Sequence, residues 1–296
     1  MTTTPTPLDT QELSLAPRVG LIRGTLSSVA GKIGVGLGGV ILTVIVFGRF
    51  VAPYDPRAIN LAPPFSKPSG AHLLGTDELG RDVLSRLLEG GGQVLLIPLV
   101  AVVISVLIGG GLGAVAAYRG GRLDGFLRRS FDLVISMPVL LLSLIAVAAL
   151  KPSFWVLVLV VVVADAPRAG RTVRTLVNDQ ISADYVLAAR ARGESMSSVL
   201  LREIAPNIVA PVAADVALRI TYGIIAIATL SFLGLGAQPP HPDWGLMINE
   251  NRGGLTFSPL AVLAPAAALA LVSVAFNLTA EAIAQHVAGD EKVVEK

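Results

Sequence analysis

Long apolar stretches separated by short charged connections dominate the chain. Four of them, residues 33–51, 93–118, 131–150 and 260–279, approach the roughly 20 residues that an α-helix needs to cross a hydrocarbon core. Two others are less regular. Residues 153–166 are intensely apolar but short, so this helix is expected to continue past Asp165 and Pro167, while 207–232 is long enough but carries Asp215 and Arg219. Six spans follow, which places both termini on one side of the membrane. The fold class expected is an all-α membrane protein. Its divisions are an N-terminal tail (1–32), a first span and outer loop with a short amphipathic helix (33–92), a five-helix core with a long loop at 167–206 (93–279), and a C-terminal tail (280–296).

Composition agrees with the pattern: 53% of residues are hydrophobic and 15% charged, with a mean hydropathy of +0.71, outside the range of water-soluble domains. A net charge of +2 gives no reason to expect a nucleic acid partner, and what matters is where the 23 basic residues lie. With the N-terminus inside, the inner segments hold 15 Lys and Arg and the outer ones seven, with Arg219 inside a span. The positive-inside rule therefore makes both termini cytoplasmic. The Thr/Pro-rich stretch up to about residue 20 reads as a disordered tail without a cleavable signal. Cysteine is absent, and His72, His241 and His286 are scattered, so no metal-ligand set is expected. The outer loop at 51–92 is too small to house a solute receptor.

Energy-coupling chemistry is missing from the chain. The phosphate-cradling pattern G-x-x-x-x-G-K-[ST] does not occur, since Gly31-Lys32 precedes Ile33 and lacks the upstream glycine. No nucleophile elbow, H-E-x-x-H pair or EF-hand loop is present either. No catalytic residue is expected, and any energy used must arrive by contact with a partner.

Residues 167–206 read as two short helices broken at Gly193. Tyr185, Ala188, Ala189 and Arg192 recur at helical spacing, and the two alanines would let another surface approach closely. Gly193 suits the left-handed turn that ends a helix. Ser195 is placed to cap the next one, whose Met196, Val199 and Leu200 form an apolar stripe before Pro206 opens the fifth span. On pattern alone this is either a docking surface or an amphipathic hairpin lying on lipid.

Asp215 and Arg219, at i,i+4 within a span, share one helix face. A buried charge at that depth costs roughly 2.5–3.5 kcal/mol on insertion scales, so the pair should face water or a partner. It reads either as part of a solute path, offering one group to each end of a zwitterion, or as a self-paired bridge between subunits. In Gly75–Arg86, Thr76 or Asp77 is expected to cap a short helix with Val83, Leu87 and Leu88 on the outer membrane surface, or the stretch is an elbow positioning the second span. Ser231–Pro240 becomes a Gly/Pro-rich outer turn, and Trp244 suits the headgroup boundary. Arg119, Arg122, Arg128 and Arg129 read as topological anchors.

Ala188-Ala189-x-x-x-Gly193, with Pro206 thirteen positions beyond the glycine, resembles the EAA loop of binding-protein-dependent ABC importer permeases. Leu187 stands where the name-giving glutamate would be, and Ala205 where leucine is usual. Gly75–Arg86, Tyr118–Asp124, Asp132 with Met137-Pro138, and Ser231–Pro240 with Trp244-Gly245 resemble, in order, the C-type permease of dipeptide and oligopeptide importers. Ile227 occupies a position where relatives often carry glutamate.

The resemblance implies six transmembrane helices of the type I ABC importer permease (MetI-like) fold in a bacterial inner membrane. It also implies a loop in which Tyr185, Ala188, Ala189, Arg192, Gly193 and Pro206 contact an ATPase. The implied partners are a second homologous permease subunit, one or two ABC ATPase subunits that bind ATP and Mg, an extracytoplasmic peptide-binding protein, and lipid. Nickel or glutathione import by the same build is the nearest alternative. An ion-driven secondary transporter would need paired repeats and more midplane acids than Asp215 alone.

Overall fold

The structure, a computed structural model, describes Leu26 and residues 28–294. Among these it is helical, with no strand beyond one isolated bridge pairing Thr76 with Asp82. Most of the expected N-terminal tail lies outside the described residues. Ser28 accepts a hydrogen bond from the Gly31 N–H (3.0 Å) and thereby starts α1, Val29–Val51, a few residues earlier than hydropathy alone suggests.

The second span is nearly continuous from Val83 to Arg119. It comprises α2 (Val83–Glu89), α3 (Gly91–Ser105), a π-turn (Val106–Gly110) and α4 (Gly111–Arg119). The third departs from expectation. Instead of one helix over 131–150, α5 (Gly121–Ile135) and α6 (Val139–Leu150) meet at an 81° bend. Pro138 is the physical reason: it holds Met137 out of helical backbone and has no N–H to continue the ladder.

The fourth element, α7 (Phe154–Ile181), continues through Asp165 and Pro167 as expected. Its length shortens the anticipated loop, because all of 167–181 is helix. Within the remainder lie α8 (Asp184–Ala191) and α9 (Met196–Ser198), and α9 passes through a π-turn (Val199–Ile204) directly into α10 (Ala205–Phe232). The second short helix is therefore the start of the fifth span and not a separate element. The short α11 (Trp244–Asn251) precedes α12 (Leu260–Val294), which carries the helix through most of the anticipated C-terminal tail.

Among the described residues, four helices are long and apolar enough to cross a membrane, and a fifth if the bent pair counts as one span. α7 has the length but carries Asp165, Arg168 and Arg171 in its first 18 residues. Six spans are consistent with this arrangement. Three apolar clusters hold it together. One joins α3, α10, α11 and α12 through residues such as Val102, Ile224, Met247 and Val272. A second joins α3, α7 and α10 through Ile97, Val158 and Ile227, and a third packs α7, α8 and the start of α10 through Val177, Val186 and Ile204.

Candidate functional site

The helix α7 leads into the short segment α8, and α10 leads away from it. Ser153 caps α7 by accepting from the Val156 N–H. At the far end, two arginines of the anticipated 167–206 loop are committed to α5. Arg174 donates to both Asp124 oxygens at 2.5 and 2.7 Å, and Arg171 pairs with Asp132. The bidentate geometry fixes orientation as well as charge.

α8 is two turns long, and its two faces differ. Val186 and Ala189 are fully buried against Val173, Val177, Val199 and Ile204. The half-buried Tyr185 packs on the same cluster, and its hydroxyl donates to Gln180 Oε1 at 2.5 Å. Arg190 lies over the Tyr118 ring at 4.4 Å, a cation–π contact. The outward face is Asp184, Leu187, Ala188 and Ala191, with Arg192 at its end. The expectation that Tyr185, Ala188, Ala189 and Arg192 form one exposed face is corrected accordingly. Tyr185 and Ala189 point inward because the stripe 185/186/189 is the one that meets α7 and α10.

Gly193 ends α8 at φ +76°, its N–H donating to Arg190 O (2.9 Å) while Glu194 N–H donates to Ala189 O (3.2 Å). Ser195 then caps α9 by accepting from the Ser198 N–H at 3.3 Å, as its position foretold. Arg192 reaches across the turn to Glu194 (2.7 Å) and Glu203 (3.7 Å), and its hydrogen bond holds the Glu194 carboxyl below the usual range. Pro206 follows the π-turn at the start of α10, inside the continuous helix, where it has no N–H to continue the backbone ladder.

Within the spans, Arg219 is only 8% exposed and has three partners: Asp215 (2.5 Å), Asp165 on α7 (2.7 Å) and Thr172 on α7 (3.0 Å). The i,i+4 pair is legible in the sequence, but the contact of Arg219 with Asp165 is not. Asp165 makes it a cross-helix cluster, so Asp215 is not the sole acid at this depth. Asp215 keeps a quarter of its side chain exposed.

At the opposite end, the Gly75–Arg86 stretch turns inward. Asp82, and neither Thr76 nor Asp77, caps α2, accepting from the Ser85 N–H (2.8 Å) and hydroxyl (2.7 Å) while its other oxygen meets His72 Nδ1 (2.9 Å). Asp77 instead holds Arg81 (2.5 Å), and Arg81 and Arg86 both reach Glu250 on α11 (2.8 Å each). Val83 is buried and does not lie on the membrane surface. Trp244 is buried too, with its indole N–H donating to Leu87 O (2.8 Å). These corrections share a cause: α11 folds back over α2, so both motifs form one polar-lined junction.

Asp243, the cap of α11, is fully buried, and that burial pushes its carboxyl up to about 6, although the Leu246 N–H bond pulls the other way. The folded protein thus holds a proton that an unfolded chain has released above 3.8. Stability should fall as pH rises from 3.8 through about 6 and level off beyond, a change of about 3 kcal/mol. Asp243→Asn keeps a good capping residue and should remove that dependence. Melting temperatures at pH 5 and 7.5 would converge in the variant. Parallel pH profiles for variant and parent would refute this account.

Among the described residues, no group of three or more His, Cys, Asp and Glu side chains is arranged to hold a metal ion. What the helices and the α7–α8–α10 unit define is a multi-pass membrane protein that presents a short helix at one end of two joined spans. The chain belongs to the binding-protein-dependent transport system inner membrane component family, matching it over residues 109–289. It is 37% identical over 246 residues to a probable D,D-dipeptide transport system permease protein of Escherichia coli (82% of each chain). It is 32% identical over 250 residues to a dipeptide transport system permease protein of Haemophilus influenzae (82% of this chain, 85% of the relative). A glutathione transport system permease protein of Pectobacterium atrosepticum is 35% identical over 247 residues (82% and 81%).

Proposed function

We propose that this chain is the permease subunit of an ATP-driven importer of di- or oligopeptides, a non-catalytic half-channel that works by alternating access. The observation that carries the reading is α8, whose apolar inner face is fused to two spans while Leu187, Ala188 and Ala191 stay outward. Small and apolar side chains on an exposed helix suit insertion into a cleft of a partner protein. The partner is an ABC ATPase that binds ATP and Mg. Its contacts are Leu187, Ala188, Ala191 and Arg192, with Tyr185 and Ala189 bracing the helix from beneath and Gly193 and Pro206 setting its angle.

The basic cluster at the α8 end supports a cytoplasmic location for it, and for both termini, at a bacterial inner membrane. A second, homologous permease subunit completes the path, and an extracytoplasmic peptide-binding protein delivers the solute. Asp215, partly exposed on α10, is the group of the Asp215–Arg219 pair best placed to face that path. Peptide substrates are favoured by the dipeptide permeases among the relatives. The glutathione permease favours a second reading, and glutathione offers the same free amine and carboxylates.

The test is the whole importer reconstituted in lipid nanodiscs with its receptor. ATP hydrolysis should be vanadate-sensitive and stimulated by peptide-loaded receptor, and mass spectrometry should find peptide on the purified receptor. A metal chelate without peptide would overturn the substrate assignment.

A further inference from the structure

A push on α8 becomes useful motion only if α7 and α10 respond together, so their joint matters. Below the membrane-buried charges, Val173 and Val177 meet Val186, Val199, Ile204 and Ile208. Above them, Leu157, Val158 and Val161 share a cluster with Ile227 and Leu230. Apolar contacts of this kind are non-directional and name no specific partner atom. Between the two clusters sits a directional contact. The Arg219 guanidinium is held from its own helix by Asp215 and reaches two side chains of α7 two turns apart, Asp165 and Thr172. A slip of one residue, about 1.5 Å along the axis, would break those bonds and leave the buried Arg219 guanidinium without its α7 partners.

We propose that Arg219 is a positioning residue that locks the register of α7 against α10, making the two spans that flank α8 a single lever. The lock lies 13 residues beyond Pro206, about 20 Å along α10, so the unit is fixed both at α8 and far from it. Displacement of α8 is then carried into the membrane by both helices and is not absorbed by slippage between them. This inference rests on α8 contacting the ATPase and goes beyond it, since it assigns the transmitting element.

The absence of native cysteine permits a direct test on the complete reconstituted importer. In the pair Asp165→Cys with Arg219→Cys, ATP hydrolysis should persist, and peptide transported per ATP should drop several-fold. The half-saturating concentration of loaded receptor should stay unchanged. A short bifunctional thiol reagent bridging the two positions should restore the ratio in the same protein. An unchanged ratio without the bridge, or no recovery with it, overturns the lock.

A raised half-saturating concentration with an intact ratio, reproduced by Asp215→Asn, would also overturn it and would assign the cluster to solute contact. Should the cysteine pair fail to assemble, Arg219→Lys keeps the charge but loses the fork. It must then give an intermediate ratio, and a parental value counts against the lock. Failure of the wild-type assembly to couple hydrolysis to loaded receptor would instead refute the importer reading itself.

Discussion

Replacing Gly193 with proline is expected to abolish solute uptake while the assembled spans remain in the membrane and ATP hydrolysis continues unregulated. Three effects converge. Gly193 has φ +76°, whereas a proline ring holds φ near −65°. Its N–H, which closes α8 onto Arg190 O at 2.9 Å, would be lost. Arg192 is helical at φ −71°, ψ −4°, a conformation disfavoured before proline. Together these amount to about 3 kcal/mol or more, enough to re-aim α8 instead of straining the turn. Leu187, Ala188 and Ala191 would then leave the orientation set by Val186 and Ala189. Gly193→Asn is the control. A Cβ there meets nothing within 4 Å and asparagine tolerates the left-handed region, so uptake should be largely retained. Uptake and ATP hydrolysis measured side by side would decide it, and normal uptake by the proline variant would dismiss α8 as the coupling element.

The same residues mark where sequence reasoning reached and where it stopped. The spans, the extension of α7 past Pro167 and the break at Gly193 are local events, decided by hydropathy and by backbone preferences of single residues. The faces of α8 are not local. Which of Tyr185, Ala188, Ala189 and Arg192 is buried depends on where α7 and α10 lie, and α8 is too short for its own pattern to choose. Asp165 was visible as a charge inside a span, but its contact with Arg219 bridges 54 positions, which no periodicity reports. The outer junction was missed for the same reason. Gly75–Arg86 reads as a capped surface helix or an elbow, and nothing local tells that Arg81 and Arg86 meet Glu250, more than 160 residues away. The bend at Pro138 had a signal, the dipeptide Met137-Pro138, that hydropathy averaging concealed.

Gly113→Val is expected to remove most folded protein from the membrane. In the sequence, Gly109, Gly110, Gly111 and Gly113 look like a uniformly small patch in an apolar span, but the fold gives them different work. A Cβ at Gly109 would lie 1.9 Å from Ala166 O, and one at Gly113 would lie 2.1 Å from Gly170 O. Both obstacles are helical backbone of α7, so no rotamer change can clear them. The crossing of α4 and α7 depends on this close approach, the usual role of small residues between helices in lipid. A branched side chain must drive the helices apart, at or above the upper end of the about 1–3 kcal/mol typical of overpacking. Separation would also shift Asp165, next to Ala166, away from Arg219 and leave charges unpaired within the bilayer. At Gly111 a Cβ meets nothing within 4 Å, so Gly111→Ala should be neutral or stabilise the helix by up to about 1 kcal/mol. Monodisperse yield and thermal melting of the two variants form the comparison. Equal behaviour would mean that the α4–α7 crossing does not depend on backbone contact.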